Sequence, residues 1–248
     1  MENLINSAHS ISLAIKKLKI KKVNKTFKGF FLNNTDGANY CISLFEEYAI
    51  NPNEEDKIFL YDLGQELINF LTRSFTNGYP KICDVHHGTE LFLGFLSRYI
   101  ALFPEDKRAS SLIVNAAEFI GNWKDKSISW YDYEKNNFKS WHLGCEGHSK
   151  NPLFKYNTAD HLRFIHLAIL AWEISGNSKY LEWSLLYGKS FANKIIQSKA
   201  NIPVAWDFNN KEYYSKDMKS KDEKYLAADH HHLENDSFSG VENLIASG

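Results

Sequence analysis

The chain has 248 residues, 44% of them hydrophobic, enough to bury a sizeable core as one domain over residues 1–248. Its 29 Lys and Arg against 30 Asp and Glu leave a formal net charge of −1, which excludes a whole-molecule field suited to nucleic acid or an anionic membrane. Cys41, Cys83 and Cys145 lack zinc-type CxxC spacing, and their odd number argues against a disulfide framework.

Residues 4–20 predict an amphipathic helix with Leu4, Ile11, Ala14, Ile15 and Leu18 on one face and a lysine-rich end. Glu2, Asn3, Asn6 and His9 interrupt any signal-peptide core, and no apolar run approaches a membrane span, so a cytoplasmic chain is expected. Phe30–Asn34 reads as an extended run entering a turn at Thr35-Asp36-Gly37. A first helix pair follows, with Tyr40, Leu44, Phe45 and Tyr48 on one limb and Leu60, Leu63, Leu67 and Phe70 on the other. Asn51-Pro52-Asn53 makes its turn. A second pair opens at Asp84-Val85-His86-His87 and carries Leu91, Phe92, Phe95 and Tyr99, then Leu112, Ala116 and Phe119. Phe103–Asp106 joins its limbs, with Pro104 expected in the first turn of the second.

Asn122–Asn157 reads as a long irregular insertion holding a hairpin-like run, Ile128–Phe138. The third pair places Leu162, Ile165, Ile169 and Trp172 on one limb and Leu181, Leu185, Ala192 and Ile195 on the other, around a turn at Ser175-Gly176-Asn177-Ser178. Ile202–Asn210 then repeats the hairpin pattern. Both runs put Trp, Asp and an aromatic before an Asn-Asn pair, and the two pairs stand 73 residues apart, a spacing that suits a helical repeat. Residues 216–224 are a mixed-charge stretch expected to be a loop, followed by Asp229-His230-His231-His232. Val241–Ile245 reads as the start of another first limb, so the chain is expected to end inside a repeat.

This rhythm predicts an all-α fold, a toroid of antiparallel helix hairpins incomplete at its C-terminus, with short β-hairpin loops on one face. Short turns would gather at one rim and the long Trp-, His- and Asp-bearing connections at the other, next to helix N-termini that favour anionic ligand groups. The turns Gly176-Asn177-Ser178-Lys179-Tyr180-Leu181 and Pro104-Glu105-Asp106-Lys107-Arg108 are similar to those of the (α/α)-toroid carbohydrate-active enzymes. That group includes unsaturated-glucuronyl hydrolases, N-acylglucosamine-epimerase-like proteins and polysaccharide lyases. The resemblance spans roughly residues 36–248 and implies a sugar cleft at one end of a ring of helices.

On that reading the partner is a carbohydrate, with no nucleic acid and no membrane, and neither cofactor nor metal is expected. The catalytic candidates are His86, His87, Tyr156, Asp160, Asp207 and Asp229. Histidine titrates near working pH, and paired carboxylates serve glycosidic cleavage. Trp130, Trp141, Trp206, Arg163 and His230 are the substrate-binding candidates, the tryptophans for flat sugar faces and Arg163 for a uronate carboxylate. Asp84 is read as a helix cap, and Asp132 and Asp207 have ordinary turn chemistry as their simpler role. His142, Cys145 and His148 match no standard zinc spacing, and the histidines at 230–232 are explained as well by a capping run. Hydrolysis, β-elimination and epimerisation remain open. So do two other classes, a terpenoid-cyclase-like enzyme and a non-catalytic helical-repeat scaffold, although no Asp-rich cyclase motif is present.

Overall fold

The structure, a computed structural model, describes residues 36–90, 93–125, 127–198 and 202–214. The expected helix over 4–20, the run 30–34, Leu91, Phe92, the stretch 216–224, Asp229, His230 to His232, and 241–245 lie outside the described residues.

Local chemistry sets most helix boundaries. Helix α1 (Asp36–Ile50) turns through Asn51 and Pro52 into α2 (Glu54–Ser74), where the Asn53 side chain accepts from the Asp56 N–H and three acidic residues occupy the first turn. Strand β1 (Cys83–Asp84) leads into a short α3 (Val85–Glu90), then α4 (Leu93–Leu102) and α5 (Lys107–Ala117). Asp106 caps α5 by accepting from the Arg108 and Ala109 N–H groups, so Pro104 stands before the cap and not in the first helical turn. Helix α6 (Arg163–Ser175) ends at Gly176, whose φ of 69° is the left-handed cap that glycine adopts without a Cβ penalty. Asn177 then caps α7 (Ser178–Gln197), and α6 packs against both α5 and α7.

The expectation of an all-α toroid is overturned. The described residues mix these helices with three small antiparallel sheets, so the architecture is mixed α/β. Strands β2 (Tyr131–Asp132) and β3 (Asn137–Phe138) make one hairpin, while β4 (His142–Gly144) pairs with both β1 and β5 (Gly147–His148). Strand β6 (Tyr156–Asn157) pairs with β7 (Ala205–Asp207), which in turn pairs with β8 (Glu212–Tyr213). These strands are more than loops decorating a ring of helices. Their pairings join 83 to 143 and 156 to 207, and so tie helices that are distant in sequence.

The aromatic residues explain why the connections fold inward. Trp130 is fully buried, with its ring centroid 4.8 Å from Tyr79, 5.3 Å from Phe119 and 5.4 Å from Phe164. Its Nε1–H donates to the Gly144 carbonyl at 3.0 Å, which satisfies the one polar atom of the ring. Trp206 is 1% exposed and packs edge-on against Phe191. Helix α7 turns Tyr180, Trp183, Tyr187 and Phe191 into this core. Leu185, expected on the buried face, is 66% exposed, because the aromatic stripe offers more area to bury than the aliphatic one.

Strand β4 fits closely over the chain before β1. A Cβ on Gly144 would stand 2.2 Å from the Lys81 carbonyl oxygen, a backbone atom that cannot rotate away. Gly144→Ala is therefore expected to lower stability by about 1–3 kcal/mol in urea denaturation. Among the described residues no helix is long and apolar enough to cross a membrane.

Candidate functional site

Two chain crossings meet at the start of α3. The Val85 N–H donates to the Trp141 carbonyl at 3.1 Å, and the β1–β4 register sets Asp84 opposite His142. The Trp141 N–H donates to the Phe154 carbonyl at 2.7 Å, and the His142 ring stacks on Phe154 with centroids 3.7 Å apart. A 3₁₀ turn, Ala159–Leu162, then delivers the chain into α6. It is fixed by buried His161, whose Nδ1 accepts from the Thr158 N–H at 3.1 Å and whose Nε2 lies 3.2 Å from the Ser140 carbonyl. Burial dominates at His161 and lowers its pKa from 6.5 to about 4, which leaves a neutral structural ring. Residues 140–142 thus hold both α3 and the approach to α6, and this brings His86, His87, Asp160 and Arg163 together.

Asp84 does two jobs at once. One carboxylate oxygen accepts from the His87 backbone N–H at 2.9 Å, as a helix cap does, and both oxygens lie 2.9 Å from His87 Nδ1. The His87 side chain is 44% exposed while Asp84 is largely buried. The Asp84 hydrogen bond raises the His87 pKa above 6.5 despite partial burial. Burial opposes ionisation of Asp84, yet its bonds to His87 hold its pKa below 3.8. With Nδ1 on the carboxylate, Nε2 is the nitrogen through which His87 would exchange a proton with a substrate.

His86 occupies the interior of the same cluster, its ring centroid 5.2 Å from that of His87. Its Nε2 lies 3.6 Å from Glu90 Oε1 and its Nδ1 3.7 Å from Asp160 Oδ1, while Arg163 Nη2 stands 3.0 Å from the same Nδ1. One nitrogen therefore faces two competing partners. Arg163 can donate to it only when it carries no proton, and Asp160 can accept from it only when it does. Burial opposes the charged ring, but the bonds to Asp160 and Glu90 outweigh burial and Arg163, and raise the pKa to about 9. Asp160 is fully buried, and its Oδ2 accepts from Trp141 Nε1 at 3.2 Å.

The remaining described candidates lie elsewhere, except Trp141. Trp130 and Trp206 belong to the core, and Trp206, 1% exposed, also borders the groove beside the β7–β8 hairpin. Trp141, 5% exposed, is a buried wall of the cluster that holds Asp160. Asp207 Oδ1 accepts from the Asn209 and Lys211 N–H groups at 2.8 and 3.0 Å, and Asp132 makes the matching turn with Glu134 and Lys135. Tyr156 is buried edge-on against Tyr213, in the sheet that also holds Asp207. Among the described residues no group of three or more His, Cys, Asp and Glu side chains is placed to hold a metal, and His148 turns its Nδ1 to the Ser129 carbonyl at 2.7 Å.

The sequence sets Asp84 and Glu90 beside the two histidines, and the structure adds the pairing each of them makes. Asp84 was read as a cap and not as the partner of the His87 ring, although its i, i+3 spacing signals both. Glu90 stands at i, i+4 from His86, the spacing that brings side chains together on a helix. Comparison of the chain with protein-family models, curated proteins and solved structures gives no match.

Proposed function

We propose that the protein is a carbohydrate-active enzyme that breaks glycosidic bonds of a uronate-containing oligo- or polysaccharide by β-elimination. The observation that carries this reading is the Asp84–His87 pair, a half-exposed imidazole held on both oxygens of a largely buried carboxylate. Such a pair suits a general base, because the carboxylate fixes the ring and stabilises the imidazolium that forms. Hydrolysis instead asks for two carboxylates that flank the scissile bond. Of the three carboxylates expected for that role, Asp160 is fully buried beside His86, Asp207 is occupied by its own turn, and Asp229 lies outside the described residues.

In the proposed reaction His87 takes the proton from the carbon beside the uronate carboxylate. The electron pair forms a carbon–carbon double bond as the bond to the leaving glycosidic oxygen breaks, and that oxygen takes up the proton that the His87 imidazolium gives back. Arg163, with its planar guanidinium next to His86, is the group suited to neutralise the carboxylate and so acidify the adjacent C–H. The test is product analysis after incubation with a panel of acidic polysaccharides. Elimination yields a product with a conjugated double bond, read by ultraviolet absorbance and by a mass lacking added water. Products that have gained water, or no cleavage on any acidic chain, would sink the proposal.

A further inference from the structure

The sequence repeat 73 residues apart has a spatial counterpart that the His87 site does not use. The turns of the β2–β3 and β7–β8 hairpins meet, with Asn137 Nδ2 donating to Asn210 Oδ1 at 2.7 Å and to the Phe208 carbonyl at 3.3 Å. Lys194 of α7 donates to the Asn137 side-chain oxygen and locks this junction to the helix. Beside it lies a groove of about 580 Å³, within the size range of small-ligand sites. Four amides (Asn136, Asn193, Gln197 and Asn210) and two lysines (Lys189 and Lys194) line it, with Glu212 the one carboxylate among its lining residues.

We propose that this groove is a second binding site, for a polyhydroxylated carboxylate of the sugar-acid class. The choice of ligand rests on the uronate reading above. Asn193 and Gln197 on the exposed side of α7 each offer a donor and an acceptor, the pair that a sugar hydroxyl matches. Asn210 keeps its amide donors beside the bond from Asn137, and exposed Lys189 supplies the positive charge while Lys194 is held by Asn137. Asn136 and Asn210 both hold positive φ, 49° and 64°, so the turns present their amides from a fixed backbone. Saccharide ligands reward such rigidity, because the protein loses little freedom when they bind.

The test is calorimetric titration of the full chain with galacturonate, an oligogalacturonide and the methyl-esterified oligomer. The acids are expected to bind, and the ester to bind roughly tenfold more weakly, as suits loss of a charge-assisted bond. Lys189→Met combined with Asn193→Ala changes two exposed side chains and is expected to weaken binding of the acids by roughly tenfold or more. His87→Ala is expected to leave this binding unchanged. Tighter binding of the oligomer than of the monomer identifies a polymer as the ligand, and equal binding identifies the free sugar acid. Undiminished binding by the double variant, binding lost in His87→Ala, or no binding of any acid would overturn the groove. Failure of β-elimination alone, with groove binding intact and lost in the double variant, would overturn only the catalytic reading.

Discussion

Replacing His87 with alanine is expected to reduce turnover about 10²- to 10⁴-fold while leaving the fold intact, the usual loss for a general base. The ring is 44% exposed, and Asp84 keeps its bond to the backbone N–H of residue 87 in the variant. Asp84→Asn tests the pair from the other side. An amide cannot place two acceptor oxygens on Nδ1, so both the ring's tautomer and its basicity change. The pH profile separates this from mere structural damage. Asp84 holds the His87 pKa above 6.5, so kcat/KM should climb as pH rises through a value above 6.5, and Asp84→Asn should move that inflection downward. An unchanged inflection in Asp84→Asn, or near-normal turnover in His87→Ala, would remove His87 from the reaction.

The parts of this fold that the sequence disclosed are those decided by neighbouring residues. Asn53, Asp106 and the Gly176-Asn177 pair punctuate helices through bonds to their own backbone, so their roles follow from type and spacing. The sheets are another matter. Most of their strands are two residues long, too short for alternation to register, and each of two sheets is closed by a partner some fifty or sixty positions away. The stripe on α7 was misassigned because several apolar stripes compete on that helix, and only the shape of the core under Tyr131 and Phe138 decides which one faces in.

The candidate site follows the same division. His86, His87, Asp160 and Arg163 were discernible because chemical side chains crowd the starts of two helices. That Asp160 would be sealed from solvent and His87 left open depends on packing of residues 140–154 over the cluster, which no local pattern records. Aromatic composition pointed to sugar faces, yet Trp130 and Trp206 are spent on the core, since a buried ring contributes the same count as an exposed one.

Asp160→Ala is expected to cost about 3–5 kcal/mol of stability, the penalty for breaking a buried ion pair and stranding its partner. Trp141 Nε1 and the Thr158 hydroxyl lose their acceptor, and the His86 ring keeps Glu90 as its one carboxylate. Asp160→Asn keeps an acceptor for Trp141 and should lose less. Linkage supplies the sign and the window. His86 has a folded pKa of about 9 against 6.5, so its contribution is fully present below pH 6.5 and is lost as pH rises through about 9. Glu90 works in the opposite sense. Burial opposes its charge but the His86 bond prevails and lowers its pKa from 4.5, so its contribution is present above pH 4.5 and is lost as pH falls below that. His86 is faced by Glu90 on its own helix, by Asp160 and Arg163 from the other crossing and by His87 beside it, and a single carboxylate against Arg163 cannot hold the ring charged as firmly. Thermal denaturation of the wild type should therefore show Tm falling between pH 6.5 and about 9, and in Asp160→Asn that fall should shift to lower pH. A fall of unchanged size and position in Asp160→Asn would mean that His86 is neutral in the folded protein, with Nδ1 accepting from Arg163, and that other groups such as His87 cause the fall. In that case Asp160 and Glu90 would be carboxylates buried without a cationic ring between them, and the cluster's charge assignment would have to be rebuilt around Arg163.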